Sequence, residues 1–182
     1  VTDTWTALAS TPMDPNSGRL FARTGHKAVW TTAGMIVVGG SDGVNNSDQN
    51  FNRSIIRLAP DLSTWTLVSN GPLELGRFDH SLESDGDRLV FLWGGQTQTD
   101  SDPIGSTVLI DAATLVATRV TAAGEPEAAR NATAVWTGRE FIVWGGTGAG
   151  SEPLPGGGRF EPDPVNPRWT LPTGPAAAEL HA

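Results

Sequence analysis

Three segments of the chain share one pattern, a run of apolar residues that ends in a pair of glycines: Met35-Ile36-Val37-Val38-Gly39-Gly40, Leu89-Val90-Phe91-Leu92-Trp93-Gly94-Gly95 and Phe141-Ile142-Val143-Trp144-Gly145-Gly146. Short runs that are rich in Val, Ile, Phe and Trp are typical of β-strands. The glycine pairs are about 50 residues apart, and self-similarity at such a period indicates a repeat architecture. The sequence therefore predicts three repeat units, each containing a strand that ends at a glycine pair.

Other residues recur at matching distances from the glycine pairs. An arginine precedes each pair, at Arg23, Arg77 and Arg130. Histidine follows the arginine at the third position in the first two units, as His26 and His80, whereas Thr133 takes this place in the third. A Trp-Thr dipeptide closes the first and third units at Trp65 and Trp169, and an earlier copy is found at Trp5. In the second unit Ala117 aligns with the tryptophan of this dipeptide.

Each unit is predicted to contain four short antiparallel strands, because clusters of turn-forming residues separate its apolar segments. The predicted strands are 27–32, 34–39, 54–59 and 64–68 in the first unit, 80–84, 88–93, 106–111 and 114–121 in the second, and 132–137, 140–144, 157–161 and 168–171 in the third. No segment shows a sustained helical period, so the fold class is all-β.

These features resemble the kelch repeat, whose units form the four-stranded blades of a β-propeller. Leu58, Ile110 and Phe160 stand where kelch repeats usually carry tyrosine before a turn. The resemblance implies an outer strand of a further blade at 1–10, blades at 20–70, 74–121 and 127–171, and the start of a further blade at 176–182. Closed propellers have about four to eight blades. We therefore expect an incomplete ring, to which a longer parent chain or associated copies add blades.

Composition excludes several classes of protein. The 182 residues carry 12 Lys and Arg against 20 Asp and Glu, a net charge of −8, whereas a nucleic-acid partner requires a cationic surface. No apolar run approaches the roughly 18 residues of a membrane span. The acidic composition, rich in Gly and Trp and without cysteine, is typical of a secreted or cell-surface bacterial protein.

The recurring arginines and histidines are the candidate ligand-binding residues: Arg23, Arg77, Arg130, His26 and His80. Guanidinium groups at matching positions could bind carboxylates through paired hydrogen bonds. Alternatively, each arginine bridges backbone carbonyls between blades, as expected where a residue serves the repeat itself.

The polar loop that follows the first glycine pair is a candidate metal or sugar site. Its carboxylates Asp42 and Asp48 could coordinate Ca²⁺, although the complete calcium-loop pattern is absent, and a solvated connection is the alternative. No other cofactor is predicted.

The resemblance leaves two classes of function open, beside a third, structural interpretation in which these are spacer blades of a larger extracellular protein. The first is a non-catalytic module that presents its blade loops to a protein or glycan partner, for which we predict no catalytic residue. The second is a segment of a carbohydrate-active enzyme, since kelch-like propellers include a copper-radical galactose oxidase and a sialic-acid mutarotase. The oxidase cofactor requires Tyr and Cys, and this chain contains neither. A mutarotase requires only placed acid and base groups and remains the alternative.

Overall fold

The protein is described by a computed structural model over residues 4–8, 10, 11, 13, 22–41, 52–68, 71–97 and 102–172. Sheet 1 contains β1 (Lys27–Thr31), β2 (Gly34–Val38), β3 (Ile55–Leu58) and β4 (Trp65–Val68). Sheet 2 contains β5 (Ser81–Ser84), β6 (Leu89–Trp93), β7 (Thr107–Asp111) and β8 (Ala117–Val120). Sheet 3 contains β9 (Thr133–Trp136), β10 (Phe141–Trp144), β11 (Gly157–Glu161) and β12 (Arg168–Thr170). A 3₁₀ turn, Leu73–Leu75, precedes sheet 2.

Each sheet is an antiparallel meander in which every strand pairs with the strand next to it in sequence. The predicted all-β class, with four short antiparallel strands in each unit, is confirmed. The sheets resemble the blades of a propeller, and within the described residues they do not close a ring.

The closing tryptophans occupy matching places in the register. Leu58 pairs with Trp65 in sheet 1, and Phe160 pairs with Trp169 in sheet 3. In sheet 2 the corresponding partner of Ile110 is Ala117, as the alignment of the repeats predicts.

Two apolar interfaces join the three sheets. Side chains alternate between the two faces of a strand, so sheet 2 presents one set of residues to sheet 1 and the other set to sheet 3. Ile36, Val38 and Ile55 of sheet 1 are buried with Val90, Leu92, Val108 and Ile110 of sheet 2. Phe91 and Trp93, from the opposite face of sheet 2, are buried with Phe141, Val143, Phe160 and Trp169 of sheet 3.

The sheets are stacked side by side with their first strands together. Strand β5 lies between β1 and β9 and contacts both. Phe91 and Phe141 stack across the second interface with ring centroids 4.7 Å apart and planes inclined by 10°. Sheet 2 is therefore covered on both faces.

Residues 1–10 were predicted to form the outer strand of a further blade, and residues 176–182 to begin another. The described residues 4–8 and 10 contain no strand, and Trp5 is 99% exposed, in contrast to the buried Trp169 that it resembles in sequence. The segment 176–182 lies outside the described residues.

Candidate functional site

The glycine pairs and the segments that lead into the first strands form one end of the molecule, here called the glycine-pair face. These approach segments are 22–26, 76–80 and 129–132. Each forms an isolated antiparallel bridge with the residue that follows its own glycine pair: Thr24 with Ser41, Phe78 with Gln96, and Arg130 with Thr147. The repeated pattern therefore places the sequence-predicted arginines and histidines at this face.

Both glycines of the first pair approach the next unit closely. The Gly40 amide donates to the Arg77 carbonyl at 2.9 Å, and the Gly95 amide donates to the Ala129 carbonyl at 2.9 Å, so the second glycine is hydrogen-bonded to the next unit. A Cβ on Gly39 would lie 2.5 Å from both the Arg77 carbonyl oxygen and the His80 ring. Because Gly39 also has a φ of 70°, glycine is required there both for space and for conformation.

The third unit is offset by one residue from the alignment that its arginine suggests. Arg130 forms the bridge that Thr24 and Phe78 form in the other units, so Ala129, and not Arg130, corresponds to Arg23 and Arg77.

The histidine position is corrected in the same way. Residues with positive φ precede it at Gly25, Asp79 and Asn131, with φ values of 67°, 55° and 57°. Ala132 follows Asn131, so Ala132 and not Thr133 takes the place of His26 and His80. Gly, Asp and Asn are the residue types that tolerate this conformation best, and that shared property was the available sequence signal.

Arg77 is enclosed within its own unit. Its Nη1 donates to the carbonyls of Gly94 at 2.8 Å and Ser106 at 3.1 Å, and its Nη2 donates to the Ser106 hydroxyl at 2.8 Å. Its Nε donates to the Glu74 carbonyl. Burial lowers the pKa of Arg77 to about 10, which still leaves it charged at neutral pH.

Arg23 repeats this arrangement in the first unit. It donates to the carbonyls of Gly39 at 3.1 Å and Ser54 at 3.2 Å, and to the Ser54 hydroxyl at 2.8 Å. Burial lowers its pKa to about 10. The two arginines thus bind backbone carbonyls, as one of the two sequence interpretations expected, although they do so within a blade rather than between blades.

The third unit lacks both ends of this contact. Ala129 replaces the arginine, and Gly156, which directly precedes β11, replaces the serine that directly precedes β3 and β7. Arg130 is consequently not committed to its own sheet.

Arg130 instead joins sheets 2 and 3. Its Nη1 donates to the Gln96 Oε1 at 2.9 Å, and its Nη2 donates to the Ser151 hydroxyl at 3.1 Å. The Gln96 Nε2 donates in turn to an Asp79 carboxylate oxygen at 3.3 Å. We call Asp79, Gln96, Arg130 and Ser151 the junction cluster. Arg130 is only half-buried and forms no ion pair within the described residues.

The two histidines differ in exposure. His80 is buried against Gly39, and neither ring nitrogen has a hydrogen-bond partner in the described part of the chain. Burial, reinforced by the positive charge of Arg77, lowers the pKa of His80 to about 3. His80 therefore remains neutral and packs between sheets. His26 is exposed, and its Nδ1 lies 3.1 Å from the Arg23 carbonyl oxygen.

The predicted calcium ligands Asp42 and Asp48 lie outside the described residues. Among the residues that are described, no three His, Cys, Asp or Glu side chains are grouped as metal ligands would be. The described residues also include no helix long and apolar enough to cross a membrane.

A cleft of about 870 Å³ separates the outer parts of sheets 2 and 3. Its walls include Leu109, Val116, Val120 and Pro164. In the first interface Arg57 occupies the register position of Leu109 and donates to the Ala112 and Ala113 carbonyls of sheet 2 at 3.0 and 2.8 Å. Leucine cannot make these bonds, so Leu109 leaves this side of the second interface without the contact that Arg57 makes in the first.

Comparison with known proteins adds no assignment. No family model matches the chain, and no curated protein matches it.

Gln96, Asp79 and Ser151 are the members of the junction cluster that sequence reasoning missed. Gln96 follows a glycine pair, where the other units carry Ser41 and Thr147, and Ser151 belongs to a loop of the third unit. Neither residue type recurs at its position among the three units, so the repeat pattern did not single them out. Arg130 directly precedes Asn131, which corresponds to Asp79. At this shifted position Arg130 reaches Gln96 and Ser151.

Proposed function

We propose that this chain is a kelch-type binding module that holds a carboxylate-bearing protein or glycan partner at the junction cluster. The observation that carries the proposal is the environment of Arg130, a guanidinium bonded to the neutral side chains of Gln96 and Ser151 and to no carboxylate of the described residues. The proposal includes a secreted or cell-surface location, in keeping with the acidic composition.

The chemistry of Arg130 favours an anionic group as the ligand. A guanidinium has five N–H donors in a planar fork and binds a carboxylate through two parallel hydrogen bonds. The bonds of Arg130 to Gln96 and Ser151 are charge-assisted on the donor side only, whereas a carboxylate adds the opposite charge and the bidentate geometry. A carboxylate can therefore replace the neutral Ser151 contact with a gain in energy.

The neighbouring side chains support the position of Arg130. Asp79 accepts a hydrogen bond from the Gln96 amide nitrogen, so the amide oxygen of Gln96 is directed toward Arg130. Because Asp79 and Gln96 belong to the second unit and Arg130 to the third, the ligand site spans two units.

The test is binding of the purified chain to immobilised acidic and neutral glycans and peptides, followed by titration of the best ligand. We expect Arg130→Ala to weaken binding about tenfold or more, the cost of a charge-assisted contact. Arg139→Ala is the matched control, because Arg139 is an exposed arginine in the β9–β10 turn, paired with Glu161. Equal affinity of the two variants would contradict the site.

The same experiment separates the module from the mutarotase alternative. Interconversion of sugar anomers is followed by NMR with each acidic sugar that binds. The proposed module leaves the rate at its uncatalysed value, whereas acceleration abolished by Arg130→Ala would identify an enzyme.

A further inference from the structure

The outward face of sheet 3 resembles, at several register positions, the face that sheet 1 buries against sheet 2. Val38, Trp93 and Trp144 directly precede the first glycine of their pairs. Val38 and Trp93 are buried by the next sheet, at 0% and 1% exposure, whereas Trp144 is 54% exposed.

The first strand of sheet 3 shows the same difference. Val29 pairs with Ile36 in sheet 1, and Val135 pairs with Ile142 in sheet 3, so the two valines occupy one register position. Val29 packs into the first interface, but Val135 is 47% exposed. The exposed apolar surface therefore extends across two adjacent strands.

A polar side chain also stands at the matching place. Arg57 pairs with Ile36 and reaches the turn carbonyls of Ala112 and Ala113 in the next sheet. Arg159 pairs with Ile142 in the same way. Its guanidinium is half-exposed and lies 3.3 Å from the Glu140 carboxylate.

The backbone supplies a third match. The amides of Gly40 and Gly95 donate to carbonyls of the following unit. The equivalent Gly146 amide has no hydrogen-bond partner in the described part of the chain. Gly146 is partly exposed, and its amide matches the donors that Gly40 and Gly95 offer to the approach segment of the next unit.

We propose that this open face, formed by Val135, Ile142, Trp144, Gly146 and Arg159, binds a fourth four-stranded sheet of the same repeat type. The partner sheet covers Trp144 with apolar side chains, offers an approach-segment carbonyl to Gly146, and offers turn carbonyls to Arg159. All three contacts are already made at the first interface, and they specify this occupant more closely than an apolar surface alone would.

The first sheet of a second copy is a poorer occupant. The face of sheet 1 that would have to cover Trp144 includes Val37, Ile56 and Leu58, and all three are already buried within one chain. The fourth sheet is therefore an additional repeat unit.

The experiment extends the full 182-residue chain with a second copy of residues 122–172. This unit is chosen because its own sheet already covers Trp93, the counterpart of Trp144. We expect the Gly146 amide to exchange its hydrogen about tenfold more slowly, or slower still, in the extended protein, as a newly buried hydrogen bond requires. NMR exchange of the amides in β10 and in the added unit gives the measurement.

Two variants of the extended protein test the interface. Trp144→Arg should abolish the added protection, whereas Trp30→Arg, at an exposed tryptophan of sheet 1, should preserve it. Unchanged exchange at Gly146 would overturn the proposal, and so would an added unit without protected amides.

Sedimentation of the unextended chain tests the other occupant. We expect a monomer at micromolar concentration. A dimer that Trp144→Arg dissociates would show that a second copy occupies the face, and would also overturn the proposal.

Discussion

Arg77 and Arg130 lie near glycine pairs at nearly the same sequence distance, yet their surroundings give them different roles. Arg77 is enclosed by carbonyls and a serine of its own sheet, whereas Arg130 is displaced by one residue and reaches the neighbouring unit. Ala129 and Gly156 together explain the difference, because they remove both partners of the contact that Ser106 and Arg77 make in sheet 2. The role of a repeated residue is therefore set by its register, and a sequence distance can misplace it by one position.

Arg77→Ala should destabilise the fold strongly. The substitution leaves the buried carbonyls of Gly94 and Ser106 without their donor, and each unsatisfied buried group costs about 1–3 kcal/mol. We expect a total loss of roughly 3 kcal/mol or more in the free energy of unfolding, measured with urea. Arg130→Ala should cost about 1 kcal/mol or less, because Arg130 is only half-buried and its partner Ser151 is exposed. Similar losses in the two variants would contradict the assignment.

His80 should make stability depend on pH. Its folded pKa of about 3 lies below the ordinary value of 6.5, so the unfolded chain binds more protons between these values. Stability is then complete above pH 6.5 and falls as the pH decreases toward 3, by about 1.4 kcal/mol per pH unit. His80→Phe keeps a planar ring but cannot titrate, and should flatten this slope in urea unfolding measured from pH 7 to 4.5.

His26→Phe provides the control for that slope, because it makes the same substitution at the exposed histidine in the matching position of the first unit. The variant should retain the pH dependence of the parent. A slope that His80→Phe leaves unchanged would show that other groups cause the acid sensitivity.

At the scale of the element, the glycine pair both ends a strand and admits the next sheet. Gly39→Ala should be more damaging than Gly86→Ala, although both residues have positive φ, of 70° and 82°. The backbone strain is about 1 kcal/mol in each case. Only at Gly39 does the new methyl group meet the Arg77 carbonyl and the His80 ring, whereas nothing lies within 4 Å at Gly86.

The additional cost at Gly39 should be about 1–3 kcal/mol, the range for forcing a methyl group into a packed site. Thermal or urea unfolding of both variants measures the difference. Equal destabilisation would mean that the neighbouring sheet yields without cost, and that the close approach is not a constraint.

Strand positions followed well from the sequence because local signals determine them. Each of the twelve strands predicted within the three units overlaps an observed one, and β11 spans the predicted Gly157–Glu161, whereas the outer strand predicted at 1–10 has no counterpart in the described residues 4–8 and 10. The pairing of Ile110 with Ala117 also followed, because a turn of nearly constant length connects the strands. The junction cluster did not follow, since Gln96 and Ser151 meet Arg130 through contacts between units that no local pattern encodes.

At the scale of the whole molecule, each sheet contacts only its neighbours, and sheet 2 has two. Stability in such an array is approximately a sum of unit and interface terms. Phe91→Ala removes the ring that stacks on Phe141 and lies 5.5 Å from Phe160, at a cost of about 3–5 kcal/mol to the second interface alone. Sheet 3 should then open before the remainder of the molecule.

Ile36→Ala is the complementary change, because Ile36 is fully buried in the first interface. Hydrogen exchange followed by mass spectrometry distinguishes the two variants. Phe91→Ala should accelerate exchange in β10 and β11 while β2 stays protected, and Ile36→Ala should do the reverse. Uniform acceleration of exchange in both variants would show that the three sheets unfold as one unit. The interfaces would then be too strong for a single sheet to open by itself.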